Sequence, residues 1–369
     1  MKITILSHNL SSNASMRAHR LALAARHFAE VHLIGPVEPK GLWPALPRED
    51  WIRTVPERRF PRFHESLIRL VQHADGDILI ACKPMLASFG AALIASEERG
   101  SVPVILDLDD LDIAFTPREV WKKDSSVADL RRPASAVYLS LLTKAAPAAS
   151  AITVASNALK RRFGGTLIHH GALVDLFDPT KIDRDSARRE FGFDRPTILF
   201  AGTPRWHKGL KPLAKAVRRI PDAQLAVLCR PQDLPGSEWK DFPLKRLSLV
   251  PYTTMPRVLA AADVVAIPQL AAEPAQYQMP IKVYDSMAMG APIVATAVSD
   301  LPDVLKDCAR IVPPGKSRDL RHAIRDLLRH PQEARALGAK ARARCVERYS
   351  MQRVADDLRA LIQKVIAKP

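Results

Sequence analysis

Residues 196–229 read PTILFAGTPRWHKGLKPLAKAVRRIPDAQLAVLC. An apolar run ends at Gly202, a polar loop carries Arg205 and Lys208 to Gly209, a helix-length stretch follows, and a second apolar run closes the segment. The spacing predicts a strand, a loop, a helix and a strand. The chain opens in the same order: KITIL at 2–6, the polar loop His8 to Ser15, a helix-like stretch from Met16 to Phe28, and VHLIG at 31–35. The topology thus starts twice.

Between the two starts lie ILIAC at 78–82, VPVILDLDD at 102–110 and SAITVAS at 150–156; after the second come LSLVPY, DVVAIPQ, APIVATA and ARIVPPG. Near-continuous apolar strands alternating with helices indicate parallel sheets covered on both faces. The expected fold is α/β, with two doubly wound, Rossmann-like domains. The polar stretch from about 171 to 195, with Pro179 and Pro196, is expected to link them. The proline-rich stretch Gly35 to Pro61, which also holds Trp43 and Trp51, is expected to form a long surface excursion of the first domain.

Length and composition agree with that reading. A chain of 369 residues exceeds the size at which one core keeps growing. With 47% hydrophobic and 25% charged residues, disorder and fibrous repeats are excluded. Cys82, Cys229, Cys308 and Cys345 form no C-x-x-C pair, so neither a zinc site nor a disulfide framework is expected. No uncharged apolar stretch approaches 18 residues, and the N-terminal apolar run is too short for a signal peptide, which points to the cytoplasm. The net charge of +16 calls for an anionic partner. It is uneven: residues 1–178 hold 22 basic and 19 acidic side chains, residues 179–369 hold 33 and 20.

Ligands of open α/β sheets sit at the carboxyl ends of strands. The loop Gly202 to Gly209 offers backbone N–H groups and two cations there, as a diphosphate requires, although it is not a Walker loop. A later segment, QMPIKVYDSMAMGAPIVAT at 278–296, reads as a helix starting near Pro280, capped at Gly290 and followed by a strand. Lys282 and Asp285 share a face of it. Asp285 is placed to accept ribose hydroxyls, with phosphates near the helix start.

These segments resemble the GT-B fold glycosyltransferases, and within them the retaining family 4. FAGTPRWHKGL is similar to the family's strand and Gly-(five residues)-Lys-Gly loop, and MPIKVYDSMAMGAPIVAT to its proline-lysine-acid helix. HHGALVDLFDP at 169–179 and LVPYTTMPRVLAAADVVAIPQ at 249–269 support the resemblance, which covers most of the chain. It implies two domains facing a cleft: an acceptor-side domain at 1–172, to which the final helix 350–369 returns, and a nucleotide-sugar domain at 173–349. It implies sugar transfer with retention, without a metal or other cofactor, from a nucleoside diphosphate sugar to a glycan, lipid-linked or small-molecule acceptor.

Lys208 falls on the family lysine and Arg205 lies beside it; both are expected to stabilise the leaving diphosphate. Gly202, Thr203, Met279, Pro280, Ile281 and Lys282 are expected to face phosphate or sugar, Asp285 the ribose, and Val250 and Tyr252 the nucleobase. His8, Asn9, Asn13, Arg17, Asp109 and Asp110 are expected on the acceptor side. The sequence departs from the family pattern at three points. Thr203 stands where the family has arginine. Tyr277 stands where the first acid of its E-x7-E pair would fall, with Glu273 nearby. The first loop reads Ser11-Ser12-Asn13-Ala14-Ser15 in place of a glycine pair, so Asn13 is the residue that would turn there with positive φ.

Two other classes fit parts of the chain. An apolar strand ending in Asp107-Leu-Asp109 is how haloacid dehalogenase-like phosphatases begin, with magnesium between the carboxylates. The basic residues Arg318, Arg321, Arg325, Arg329, Arg335, Lys340, Arg342, Arg344 and Arg348 permit nucleic-acid binding. They alternate with acids and lack aromatic partners for stacking, so a solvated helix face is expected and nucleic acid is not. Trp43, Trp51, Arg53, Arg58, Arg59, Phe60 and Arg62 fit peripheral contact with an anionic membrane at its inner face, and equally a cover over the acceptor pocket or an ordinary packed loop.

Overall fold

The computed structural model describes residues 1–115, 131, 133–234, 239, 242 and 244–367. Contacts divide the chain into unit 1, residues 1–171 with 351–369, and unit 2, residues 172–350.

Successive residues of a strand face opposite sides of its sheet, and unit 2 displays this directly. Ile198, Phe200, Leu225, Val227, Val264 and Ala266 belong to one buried cluster. Their neighbours Leu199, Ala201, Ala226, Leu228, Val265 and Ile267 belong to another. The unbroken apolar runs are therefore strands covered on both faces. The sheet orders six parallel strands as β10 (Leu244–Leu247), β9 (Gln224–Leu228), β8 (Thr197–Phe200), β11 (Val264–Ile267), β12 (Ile293–Thr296) and β13 (Arg310–Val312). The sequence places a strand at LSLVPY; the structure places it three residues earlier, and Tyr252–Thr254 instead form a short 3-10 turn.

Unit 1 repeats the plan. Its sheet runs β3 (Ile52–Pro56), β2 (Glu30–Val37), β1 (Lys2–Ser7), β4 (Ile78–Cys82), β5 (Val104–Leu108), β6 (Ala151–Val154) and β7 (Thr166–Leu167), again parallel. The proline-rich stretch is thus no mere excursion, because it contributes β3. Trp51, expected at the surface, is 9% exposed and stacks on His19 with ring centroids 5.7 Å apart.

The stretch expected to link the domains is folded into unit 2. Asp183 caps the helix Arg184–Phe191 by accepting the N–H groups of Asp185 and Ser186, Gly192 closes it with φ +63°, and Phe177 and Phe193 are core residues. The chain leaves unit 1 at Gly171 and returns after Ser350, whose extended backbone (ψ 158°) separates the helices Pro331–Tyr349 and Met351–Ile366. Met351, Val354, Ala355, Leu358, Ile362 and Val365 give the last helix one apolar stripe, and it packs on the helix Ser15–Ala25. No helix among the described residues is long and apolar enough to cross a membrane.

Candidate active site

In each unit the strand order reverses beside the first strand, between β8 and β11 and between β1 and β4. The carboxyl ends of those strands are the binding crevices of doubly wound sheets.

In unit 2 the loop after β8 is fastened to the loop after β11. The N–H of Leu270 donates to the carbonyl of His207 at 2.8 Å. Gly209 has φ +71°, and a Cβ there would stand 1.8 Å from the Pro268 carbonyl oxygen, so only glycine fits. Within this loop Trp206, His207 and Lys208 form a 3-10 turn in which Arg205 and Trp206 are exposed, Lys208 is half-buried and His207 is buried. The Arg205 N–H donates to the carbonyl of Thr203.

Lys282 completes the group. It lies in the first turn of the helix Ile281–Ala288, whose N-terminus carries no side-chain cap and no acid. Its first-turn N–H groups lack intrahelical acceptors. Its Nζ lies 4.4 Å from the centroid of the buried Phe200 ring and 3.0 Å from where a Gly202 Cβ would stand. Among the described residues no carboxylate pairs with this ammonium. Burial first, and then the charge of Lys208, hold it well below the usual lysine range. Lys282 thus sits beside Gly202 within electrostatic reach of Lys208, and two neighbouring cations at uncapped N–H groups are the kind of arrangement that attracts an anion.

Asp285, one turn on, is 6% exposed and accepts the hydroxyl of Tyr252 at 2.8 Å. Expected separately at ribose and base, the two side chains form one pair. Tyr252 also packs on Phe177, centroids 5.3 Å apart, and Val250 is half-buried on the same core cluster. Met279 and Pro280 are buried before the helix, while Ile281 and Thr203 are half-buried. Glu273 is exposed at the start of the short helix Glu273–Tyr277, and Tyr277 is half-buried at its end. The sequence reading missed Gln269. Its amide is 1% exposed at the end of β11, and neither Nε2 nor Oε1 has a hydrogen-bond partner among the described residues. Leaving such groups unpaired costs about 1–3 kcal/mol; position after an apolar strand was the only available signal.

In unit 1 the expected acceptor residues divide. Arg17 is 1% exposed, and all five of its N–H groups are engaged: Nε and Nη2 with Asp107 at 3.0 and 2.8 Å, the remainder with the carbonyls of Ile168 and His169 and the His170 ring. It is a strut between helix, β5 and the chain after β7, which corrects its acceptor-side assignment. Asp107 is fully buried and also accepts Thr153 Oγ1 at 2.7 Å. A carboxylate so enclosed has no access to a phosphomonoester, which removes the phosphatase reading.

Asn9 shapes its loop: its amide donates to Glu38 and accepts from the N–H of Ser11. Asn13 is exposed and does not have positive φ. That conformation belongs to Lys83 (φ +74°), just after β4. The buried ammonium of Lys83, another residue the sequence reading missed, lies 3.0 Å from Asp109, 3.0 Å from Asp110 and 2.8 Å from Asp112. Burial, and then Asp110 and Asp112, outweigh Lys83 and push Asp109 up to about 7. His8, half-buried after β1, is pulled down to about 3 by burial and by Lys83 and stays neutral. His8 and Asn9 line a cavity of about 720 Å³ within unit 1.

Two tandem doubly wound units with these sites define the GT-B fold. Across the whole chain the structure matches sucrose-phosphate synthase from Thermosynechococcus elongatus, with TM-score 0.73, 19% identity and full coverage of both chains. It also matches Anabaena HepE solved with UDP-glucose, with TM-score 0.74, 17% identity, and 99% and 100% of the two chains covered. Residues 207–360 match the family model described as Glycosyl transferase-like. Among curated relatives, the chain is 38% identical over 115 residues to an MMP alpha-(1->4)-mannosyltransferase of Mycolicibacterium hassiacum, covering 30% of this chain and 26% of the relative. It is 29% identical over 178 residues to a D-inositol 3-phosphate glycosyltransferase of Mycobacteroides abscessus, covering 44% and 38%. The aligned region thus spans well under half of either relative's length.

Proposed function

We propose that the protein is a glycosyltransferase that takes a sugar from a nucleoside diphosphate sugar held by unit 2 and passes it to an acceptor held by unit 1. The observation that carries this reading is Lys282: a half-buried ammonium without a carboxylate, beside Lys208 and over Gly202. The named glycosyltransferase relatives support it.

In this reading the bond between the anomeric carbon and the diphosphate oxygen breaks as negative charge builds on the diphosphate. Lys208, Lys282 and Arg205, with the first-turn N–H groups at 281–282, stabilise that charge, so the reaction needs no metal. The acceptor hydroxyl bonds the anomeric carbon on the face the diphosphate leaves, its proton passes to the departing diphosphate, and configuration is retained. Tyr252 and Asp285 receive the nucleoside. Replacing Lys208 by Ala should lower turnover about a hundredfold or more. The check is release of nucleoside diphosphate in the presence of acceptor; near-normal turnover would remove Lys208 from the mechanism.

A further inference from the structure

The cavity in unit 1 opens where β1, β2, β3 and β4 all end: His8, Pro36, Glu57 and Met85 each follow one of these strands or stand at its last turn. One wall comes from the helix Phe63–His73, through Phe63, Leu67 and Leu70, and another from Leu86. These side chains give it an apolar interior large enough for a chain or ring of drug-like size.

Its rim is cationic. Arg58, Arg59 and Arg131 all line it. Neither Arg58 nor Arg59 pairs with a carboxylate among the described residues, while the Arg131 guanidinium lies 4.9 Å from the centroid of Phe60, which is 52% exposed. Among the described lining residues one acid, Glu57, shares the rim, and loss of hydration and then Glu38 hold it above the usual carboxylate range. An apolar interior under three guanidinium groups is complementary to one kind of molecule, an amphiphile with an anionic head, since guanidinium holds phosphate bidentately.

We infer that this cavity binds an acceptor composed of an apolar body and a phosphate group. This rests on unit 1 being the acceptor side. The apolar body lies against Phe63, Leu67 and Leu70, the phosphate is gripped by Arg58 and Arg59, and the neutral His8 is left to hydrogen-bond the hydroxyl that takes the sugar.

The test is calorimetry on the full chain with monomeric octyl phosphate, octyl glucoside as the uncharged amphiphile, and inorganic phosphate as the head alone. Octyl phosphate should bind at least about tenfold tighter than either control, and Arg58→Ala/Arg59→Ala should remove about tenfold or more of that affinity, as expected for lost charge-assisted hydrogen bonds. Equal affinity for octyl glucoside, or indifference to the double variant, would overturn the inference. Sedimentation with phosphatidylglycerol vesicles without binding of monomeric octyl phosphate would also overturn it, showing a membrane surface contact instead. A parallel titration with nucleoside diphosphates separates the two readings: nucleotide binding without octyl phosphate binding sinks the cavity assignment alone, and the reverse sinks the donor assignment alone.

Discussion

At the residue scale the proposed reaction rests on Lys282 and the glycines around it. An ammonium held well below the lysine range by burial and by Lys208 is partly deprotonated in alkaline solution. An anion beside it favours the charged form. Diphosphate binding should therefore draw protons from solution as pH rises, and Lys282→Met should abolish the uptake; calorimetry in buffers of different ionisation enthalpy measures both. The glycines should respond unequally. At Gly209 a side chain meets the Pro268 carbonyl, which is backbone, at a φ that disfavours any side chain. Gly209→Ala should cost about 3 kcal/mol or more, read as a fall in Tm of about 6 °C or more. At Gly202 the φ of +150° also disfavours a side chain, but the atom met is the flexible tip of Lys282 rather than backbone, so Gly202→Ala should lose less stability than Gly209→Ala and also weaken nucleotide binding. The Gly-to-Lys spacing was legible in the sequence because it is local. The seating of Lys282 over Gly202 was not, because the two are eighty residues apart and meet only through the pairing of β8 with β11.

Elements explain why Arg17 misled. Placed just after the first loop, it fits an acceptor-side contact in sequence; the burial of its helix face turns it inward onto β5 instead. A buried pair stripped of one partner strands the other charge, so Arg17→Met should destabilise unit 1 by about 3–5 kcal/mol. Arg17→Met combined with Asp107→Leu should recover much of that loss in a denaturant titration. The long apolar strands were readable from their runs alone, whereas β3 was hidden. Ile52–Pro56 is a five-residue edge strand, half exposed and closed by proline, and strand propensity is weak for such a segment. Lys83 was equally hidden: one cation after an apolar strand signals nothing until three carboxylates from the next loop gather on it.

The whole molecule repeats one plan, because both sheets place their first strand at the reversal of order and both leave their candidate sites at the strands' carboxyl ends. The uneven basic charge takes on a structural meaning at this scale. Arg342 donates to the carbonyls of Phe177 and Ala288, Arg344 to those of Val304 and Asp303, and Arg184 and Arg188 both pair with Asp263. Much of the excess in unit 2 braces loops and helix ends, and these arginines are no evidence for nucleic acid. Among the described residues the lysine over Gly202 is buried by its surroundings and has no carboxylate partner.

The central claim is that unit 2 holds a nucleoside diphosphate through that lysine. Its most direct test is a thermal-shift titration of wild type and Lys282→Met with uridine, guanosine, cytidine and adenosine diphosphates and their sugars. At a hundred times its Kd, a ligand of the folded state adds about 2.7 kcal/mol, so at least one nucleotide should raise the wild-type Tm by about 5–10 °C. Lys282→Met should lose most of that rise. No shift with any nucleotide, or an undiminished shift in the variant, would contradict the account.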